Sequence, residues 1–205
     1  MFADSPLRIC AQILLPIENA LISKIPREKI TKLYSHPQVF GQCRSWIQKN
    51  FPSAELVEVS STTRAAELIS DESSAAALGG RLAAELNNLE VLEEKIQDKA
   101  TNTTRFLVLS HKMCPPTGND RTSVMFSVRH KAGSLVKALE PFNEFHINMS
   151  KIESRPSKQK EWEYFFFVDI AGHCEDPKLS EALQNLEEHC NFIKVLGSYP
   201  DSEVK

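Results

Sequence analysis

Two polar side chains in the first quarter of the chain have types and spacing that could do chemistry. They are Ser35 and Gln42, in the stretch SHPQVFGQ. They lie seven residues apart, about two turns of an α-helix, so both could share one helix face. The alternative is that Ser35 caps the helix and Gln42 is a surface residue. Serine is a common helix cap, so the spacing alone favours this simpler explanation.

Two further clusters carry hydroxyl and guanidinium groups. Ser61, Thr62 and Thr63 begin a predicted helix in the stretch STTRAA, where free N–H groups attract anions and hydroxyls would suit a carboxylate. Helix capping is the alternative, and the sequence alone favours it. In the stretch NTTRF, Thr104 could donate a hydrogen bond to a leaving group, and Arg105 offers a rigid fork for a carboxylate. Polar residues are also common where a strand begins.

The second half of the chain contains two loops that could hold a small zwitterion. Residues 130–135, HKAGSL, join a strand to a helix, and Gly133 permits close backbone approach there. Residues 153–156, ESRP, end another strand. A ligand carboxylate could bind backbone N–H groups between these loops. The alternative is a turn with a solvated charge pair, which is a common and weak arrangement.

Composition excludes several classes of protein. The 24 basic and 27 acidic residues give a net charge of −3 without a basic stripe, so no nucleic-acid partner is expected. The apolar runs are too short to span a membrane, and no signal peptide is evident. Five cysteines without a CxxC pair indicate reduced thiols in a cytoplasmic protein. The sequence predicts neither a metal site nor a cofactor motif.

The first 109 residues alternate short apolar runs with helical patterns, which predicts an α/β layer structure. The pattern predicts strands at residues 7–17, 30–34, 55–59 and 105–109. It predicts helices at residues 38–49 and after residue 60, and one broken helix or two helices over residues 73–96.

Residues 110–121, rich in proline, glycine and asparagine, predict a linker. The order after it is strand, helix, strand, strand, helix, strand, which is the ferredoxin-like βαββαβ order. These elements are predicted at residues 123–129, 133–145, 147–153, 162–171, 179–189 and 192–198. Such a unit leaves a sheet edge or face open, so pairing with a second copy is expected.

Taken together and in this order, the stretches YSHPQ with QC, STTRAA, NTTRF, HKAGSL and ESRP resemble prephenate dehydratase followed by its ACT regulatory domain. The resemblance implies an α/β chain with a partial two-lobed, periplasmic-binding-protein-like catalytic domain over residues 1–109. A linker over residues 110–121 and a ferredoxin-like βαββαβ ACT domain over residues 122–205 would follow. Compared with the usual length of the family, the first lobe is largely missing.

The resemblance also implies an activity, the decarboxylating dehydration of prephenate to phenylpyruvate in phenylalanine biosynthesis, without a cofactor. It implies that Thr104 donates to the leaving hydroxyl and that Ser35 and Gln42 bind and orient the substrate. Further substrate-binding residues would be Arg105, Phe106, Ser61, Thr62 and Thr63. Prephenate would be the substrate; the alternatives are arogenate, or a chain that acts only as an amino-acid sensor.

The ACT part implies feedback inhibition by L-phenylalanine, in which the ligand biases the chain towards a less active state. The residues implied to bind it are Gly133, Ser134, Leu135, Glu153, Ser154, Arg155 and Pro156. Phenylalanine would bind where two ACT domains pair, which predicts a homodimer or a homotetramer.

Overall fold

The computed structural model describes residues 2, 4–99, 102–157 and 163–201, and the chain packs as two units. One unit comprises residues 15–104, and the other comprises residues 1–14 together with 105–205. In chain order the strands and helices are β1 (Arg8–Pro16), β2 (Ala20–Ser23), β3 (Lys32–Ser35), α1 (Pro37–Gln42), α2 (Arg44–Asn50), β4 (Glu55–Glu58), α3 (Thr62–Ile69), β5 (Ala75–Gly79), α4 (Arg81–Leu86), β6 (Glu90–Glu93), β7 (Thr103–Ser110), β8 (Asp120–Val128), α5 (Ser134–Glu144), β9 (Met149–Pro156), β10 (Tyr164–Ala171), α6 (Pro177–Glu188) and β11 (Cys190–Pro200).

The unit of residues 15–104 is built on a five-stranded sheet in the order β4-β3-β5-β2-β6. β3 runs parallel to both β4 and β5, whereas β2 is antiparallel to β5 and β6. Leu21 packs into the apolar cluster on one side of the sheet, and its neighbours Ala20 and Ile22 pack into the cluster on the other. Because strand side chains alternate between faces, both faces of the sheet are covered.

The predicted helix over residues 73–96 is wrong, because this segment forms β5, α4 and β6. Alanine and leucine favour helices in isolation, but all five residues of β5, AAALG, are buried. A central strand that is covered on both faces takes small apolar residues without alternation. The single helix predicted for residues 38–49 is also divided, into α1 and α2, at Cys43.

The second unit contains a four-stranded antiparallel sheet in the order β11-β8-β10-β9, with α5 and α6 on one face. This is the ferredoxin-like arrangement, and the predicted βαββαβ order is confirmed. Phe126 and Val168 of the sheet pack with Phe142 of α5 and Leu186 of α6 to form the core. The predicted strand from residue 162 begins at Tyr164, and residue 162 itself lies outside the described part of the chain.

The other face of this sheet is covered by the beginning of the chain. Ile9 of β1 packs with Met125, Leu196 and Tyr199. A Cβ atom at Gly197 would lie 2.0 Å from the carbonyl oxygen of Ile9, so only glycine allows this close approach. The unit that contains this four-stranded sheet, called the C-terminal unit below, therefore also includes the start of the chain and β7 from Arg105 onward. The sequence had instead predicted a domain boundary at residue 109.

β1 and β7 pair with each other as a two-stranded sheet. The predicted linker begins within β7 and ends within β8, so residues 111–119 connect the two strands. Among the described helices, none has the length and apolar character needed to cross a bilayer.

Candidate functional site

The carboxyl ends of three parallel strands form one edge of the five-stranded sheet. β3, β4 and β5 end at this edge and are followed by α1, α3 and α4. β4 and β5 lie on opposite sides of β3, so the chain passes from β3 to β4 on one side and then crosses to β5 on the other. Ligands of open α/β sheets bind at such a reversal, outside the carboxyl ends of the strands.

An amide cluster lies at this edge. Ala20 of β2 pairs with Gly79 at the end of β5, which places Asn19 at the same edge. The Asn19 Nδ2 atom donates to Oε1 of Gln42, at the end of α1, over 3.1 Å. Nδ2 of Asn102 donates to the same oxygen over 3.4 Å. The predicted residue Gln42 is therefore held by two asparagines that the sequence patterns did not identify as site residues.

Backbone contacts fix the three chain segments of this cluster. The amide of Ile96 donates to the carbonyl oxygen of Asn19 over 3.0 Å, and the amide of Asp98 donates to that of Gln42 over 2.8 Å. The amide of Ile17 donates to the carbonyl oxygen of Asn102 over 2.7 Å. Residues 96–98 are therefore tied to the start of β2 and to the end of α1, and Asn102 is tied to Ile17.

Asp98 also binds the beginning of α2. Its carboxylate accepts hydrogen bonds from the backbone amides of Ser45 (2.9 Å) and Trp46 (3.1 Å). These bonds to the charged form lower the pKa of Asp98 below its ordinary value.

Cys43, next to Gln42, is unsuited to act as a nucleophile. Its side chain is fully buried, and burial, aided by the negative charge of Asp98, raises its pKa to about 12. The thiol is therefore protonated at neutral pH, whereas the thiolate is the reactive form.

Ser35 is the last residue of β3 and is fully buried. Its hydroxyl donates to the carbonyl oxygen of Leu78 on β5 over 2.7 Å. The helix begins at Pro37, and His36 caps it by accepting a hydrogen bond from the amide of Gln38. Ser35 therefore neither shares a helix face with Gln42 nor caps the helix, so both sequence explanations for Ser35 are wrong: it precedes the helix, and His36 is the cap.

The second predicted cluster lies at the beginning of α3. The Ser61 hydroxyl accepts from the amide of Arg64 over 3.0 Å, so Ser61 is the N-cap, as the simpler explanation predicted. Thr62 packs against the end of β5, since a Cβ atom at Gly79 would lie 3.3 Å from Cβ of Thr62. The start of α3 thus belongs to the same sheet edge, and Thr63 is exposed there.

Thr104 and Arg105 are neighbours in β7, and neighbouring strand residues point to opposite faces. Thr104 is exposed and belongs to the unit of residues 15–104. The Arg105 guanidinium belongs to the other unit, where it forms an ion pair with Asp169 and donates to the Tyr199 hydroxyl over 2.5 Å. The guanidinium of Arg105 is therefore already bound within the protein. The sequence had instead predicted that it would bind a substrate beside Thr104. Phe106 is half exposed.

The predicted phenylalanine site corresponds in part to a cavity of 390 Å³ in the C-terminal unit. The loop of residues 128–136 lines it, together with Tyr164 and Phe166. Gly133 adopts a left-handed conformation (φ 81°) at the start of α5, which glycine adopts without strain. Ser134 and Leu135 also line the cavity.

The four residues of the ESRP stretch divide between the two faces of the sheet. Ser154 pairs with Phe166 and Pro156 with Tyr164, two residues that line the 390 Å³ cavity, but neither Ser154 nor Pro156 lines that cavity itself, and Pro156 lines a second one. Glu153 and Arg155 lie on the opposite face and line this second cavity, of 490 Å³. There Arg155 and Lys151 bind the Glu153 carboxylate at 2.7 and 3.0 Å. The structure of a single chain thus brings together only part of the predicted set.

The described residues contain no cluster of three or more histidine, cysteine or acidic side chains that could hold a metal ion. The arrangement instead offers amide and hydroxyl groups at a sheet edge, in one unit, and a cavity beside a glycine turn, in the other. Together the units define a class: an α/β domain with polar groups at the carboxyl ends of its parallel strands, joined to a ferredoxin-like domain with a cavity of its own.

Comparison with known proteins specifies this class. The prephenate dehydratase family model matches residues 1–114, and the ACT domain model matches residues 122–188. The chain therefore belongs to the prephenate dehydratase family. The bifunctional chorismate mutase/prephenate dehydratase of Aquifex aeolicus is 45% identical over 201 residues, which cover 98% of this chain and 56% of that protein. The chain thus spans little more than half the length of this relative.

Two further relatives support the assignment. The prephenate dehydratase of Methanocaldococcus jannaschii is 36% identical over 95% of this chain and 71% of that protein. The crystal structure of a prephenate dehydratase from Arthrobacter aurescens in complex with L-Phe has a TM-score of 0.86 at 33% identity, over 95% of this chain and 66% of that chain.

Proposed function

We propose that this chain carries part of the active site of a prephenate dehydratase, which converts prephenate into phenylpyruvate. The observation that supports this proposal is the hydrogen bond from Asn102 to Gln42. Residues two apart in an extended chain face the same side, so we expect Thr104 to lie on the same side as Asn102, towards Gln42. A hydroxyl and an amide would then converge at the edge where α/β sheets bind ligands.

The reaction needs positioning more than an activated protein group. Prephenate loses its ring hydroxyl, which takes up a proton and leaves as water, and it loses one carboxylate as carbon dioxide. The ring becomes aromatic, so the driving force lies in the substrate. We assign Thr104 as the hydrogen-bond donor to the departing hydroxyl, Gln42 as a donor that orients the substrate, and the start of α3 as the site of a substrate carboxylate.

Ser35 acts indirectly in this proposal, because its hydroxyl is buried and bound to Leu78. It holds the end of β3 against β5. Arg105 contributes no substrate contact, because its guanidinium is bound to Asp169 and Tyr199.

The test of the catalytic proposal is prephenate turnover by the purified chain, followed as phenylpyruvate formation. Thr104→Ala should lower kcat by about 10²–10³-fold, the usual effect of losing one positioned donor, whereas Thr104→Ser should retain most of it. Thr103→Ala is the matched control, because Thr103 is also exposed but, as the neighbouring strand residue, points to the opposite side of the strand. Full rate in Thr104→Ala would refute the assignment.

We further propose that the ferredoxin-like unit binds L-phenylalanine as a feedback inhibitor, as the complex of the A. aurescens relative with L-Phe suggests. The cavity beside Gly133 is the site for the ligand in one chain, and residues of the ESRP stretch complete it when two chains pair. Calorimetry with phenylalanine should show binding that Gly133→Val abolishes, and light scattering should show a dimer or tetramer. A monomer that binds phenylalanine fully would refute the pairing.

The same experiments separate the alternatives. Turnover of arogenate but not of prephenate would indicate an arogenate dehydratase. Phenylalanine binding without turnover of either substrate would indicate a chain that acts as a sensor. The five free cysteines are consistent with the cytoplasmic location that we propose.

A further inference from the structure

We propose that Asn19 is a positioning residue, which fixes the side-chain amide of Gln42 so that Gln42 can only donate hydrogen bonds to the substrate. This inference rests on the proposed function for the identity of the substrate. The orientation of the Gln42 amide is independent of the proposed function, because it can be measured in the protein without substrate.

The first observation is the number of donors at the Gln42 oxygen. Oε1 has two lone pairs, and the amide groups of Asn19 and Asn102 donate to it over 3.1 and 3.4 Å. Its acceptor capacity is therefore filled from inside the protein. Gln42 is half-buried, and among the described residues none accepts a hydrogen bond from its Nε2 atom. The two N–H groups of Gln42 thus remain available to a ligand, whereas its oxygen is bound within the protein.

The second observation is that Asn19 is held from several sides. Only 3% of its surface is exposed. Its backbone amide donates to Oε1 of Gln97 over 3.0 Å, and its carbonyl oxygen accepts from Ile96. Asn102 is less buried and its hydrogen bond is longer. Of the two donors, Asn19 is therefore the one that decides the orientation of the Gln42 amide.

The orientation matters because the proposed ligand carries two negative charges. With Oε1 turned inward, Gln42 attracts a carboxylate or a departing hydroxyl. With the amide reversed, Gln42 would place a partial negative charge against the anion. Asn19 can impose the first orientation because its NH₂ group is a donor. A carboxylate at the same position accepts only, so Asn19→Asp should reverse the Gln42 amide without a change of shape.

The test combines a spectroscopic signature with kinetics on the full chain. The Gln42 side-chain amide signal is identified by its loss in Gln42→Leu. We expect Asn19→Asp and Asn19→Leu to shift that signal, and to lower kcat/KM for prephenate by about 100-fold, the effect of misplacing a positioned group. The matched control is Gln97→Leu, which removes a contact to the Asn19 backbone but leaves both donors on Gln42. It should leave the signal in place.

Each outcome is decisive. An unchanged Gln42 signal in Asn19→Asp overturns the proposal, and so does a shifted signal with unchanged kcat and KM. If Asn19→Asp does not fold, Asn102→Asp tests whether the Gln42 amide reverses, at the less buried of its two donors. A wild-type chain without turnover would refute the proposed function alone, because the amide signal still reports whether Asn19 orients Gln42.

Discussion

The ion pair between Arg105 and Asp169 should be the most sensitive polar contact of the C-terminal unit. Arg105 donates to Asp169 and to the Tyr199 hydroxyl, and the Ser123 hydroxyl donates to Asp169 over 2.5 Å. The Asp169 side chain is only 8% exposed and that of Arg105 is 23% exposed. Because the carboxylate is almost completely removed from water, these partners must replace the hydrogen bonds that water would otherwise supply.

Replacing Arg105 should destabilise the chain more than replacing Asp169. Arg105→Met leaves the Asp169 carboxylate with Ser123 and with Arg121, which is 4.0 Å away. Removing one partner of a buried pair costs about 3–5 kcal/mol, and the partial exposure of Arg105 suggests the lower end, about 3 kcal/mol. Asp169→Asn keeps the shape and the Ser123 contact, while water can reach Arg105. We expect it to cost about 1–2 kcal/mol.

Thermal unfolding of the full chain measures both effects. At about 2–4 °C per kcal/mol for a chain of this size, Arg105→Met should lower Tm by about 6–12 °C. The exposed pair of Arg64 and Glu67, with side chains 53% and 48% exposed, supplies the control. Arg64→Met should cost less than about 1 kcal/mol. The double variant of Arg105 and Asp169 should cost less than the sum of the single changes, since the two residues are in contact.

Two results would contradict this reasoning. If Arg105→Met lowers Tm no more than Arg64→Met does, the pair is not important for stability. If Arg105→Met leaves Tm unchanged but raises KM for prephenate, then Arg105 binds substrate, as the sequence pattern suggested, and its contact with Asp169 is incidental.

Three further predictions concern separate parts of the chain. Gly197→Ala should destabilise the chain by about 3 kcal/mol, because its Cβ would lie 2.0 Å from the Ile9 oxygen. Gly41→Ala is the control: a Cβ there would meet no atom within 4 Å, so it should stabilise the helix by about 0.5–1 kcal/mol. Urea unfolding measures both effects. The pKa of Asp98 lies below its ordinary value of 3.8, so its contribution to stability is present above that pH and is lost as the pH falls through the folded pKa. Asp98→Asn should therefore reduce the loss of unfolding free energy on acidification. An unchanged dependence of stability on pH would contradict the hydrogen bonds of Asp98 to the start of α2. Cys43, with a pKa of about 12, should resist iodoacetamide in the native chain, as read by mass spectrometry, and rapid labelling there would show that the site opens.

The elements that the sequence predicted correctly are those with strong periodicity. In the ferredoxin-like unit, strands and helices alternate with clear turns, and each helix has one apolar face, so the order of elements follows from local patterns. The failure over residues 73–96 has a local cause too. Alanine-rich AAALG has the composition of a helix, and only the burial of β5 between β2 and β3 makes it a strand.

The site could be predicted only where one short stretch carries the signal. Gln42 and Thr104 were proposed in this way, but Asn19 and Asn102, the partners of Gln42, were not. Asn19 precedes Gln42 by 23 residues and Asn102 follows it by 60, and both reach it through tertiary contacts rather than local spacing. No pattern of residue types within one segment indicates such a contact, so the amide cluster appears only when the strand order is known.

Strand alternation explains why adjacent residues of one motif have different surroundings. Thr104 and Arg105 follow each other in β7, but their side chains must lie on opposite faces. Arg105 is bound by Asp169 and Tyr199 within the C-terminal unit, while Thr104 belongs to the unit that contains Gln42. The same alternation divides Glu153 and Arg155 from Ser154 and Pro156. A motif that is continuous in sequence is therefore not one site in space, and assigning all of its residues to a single ligand overlooks the geometry of the strand.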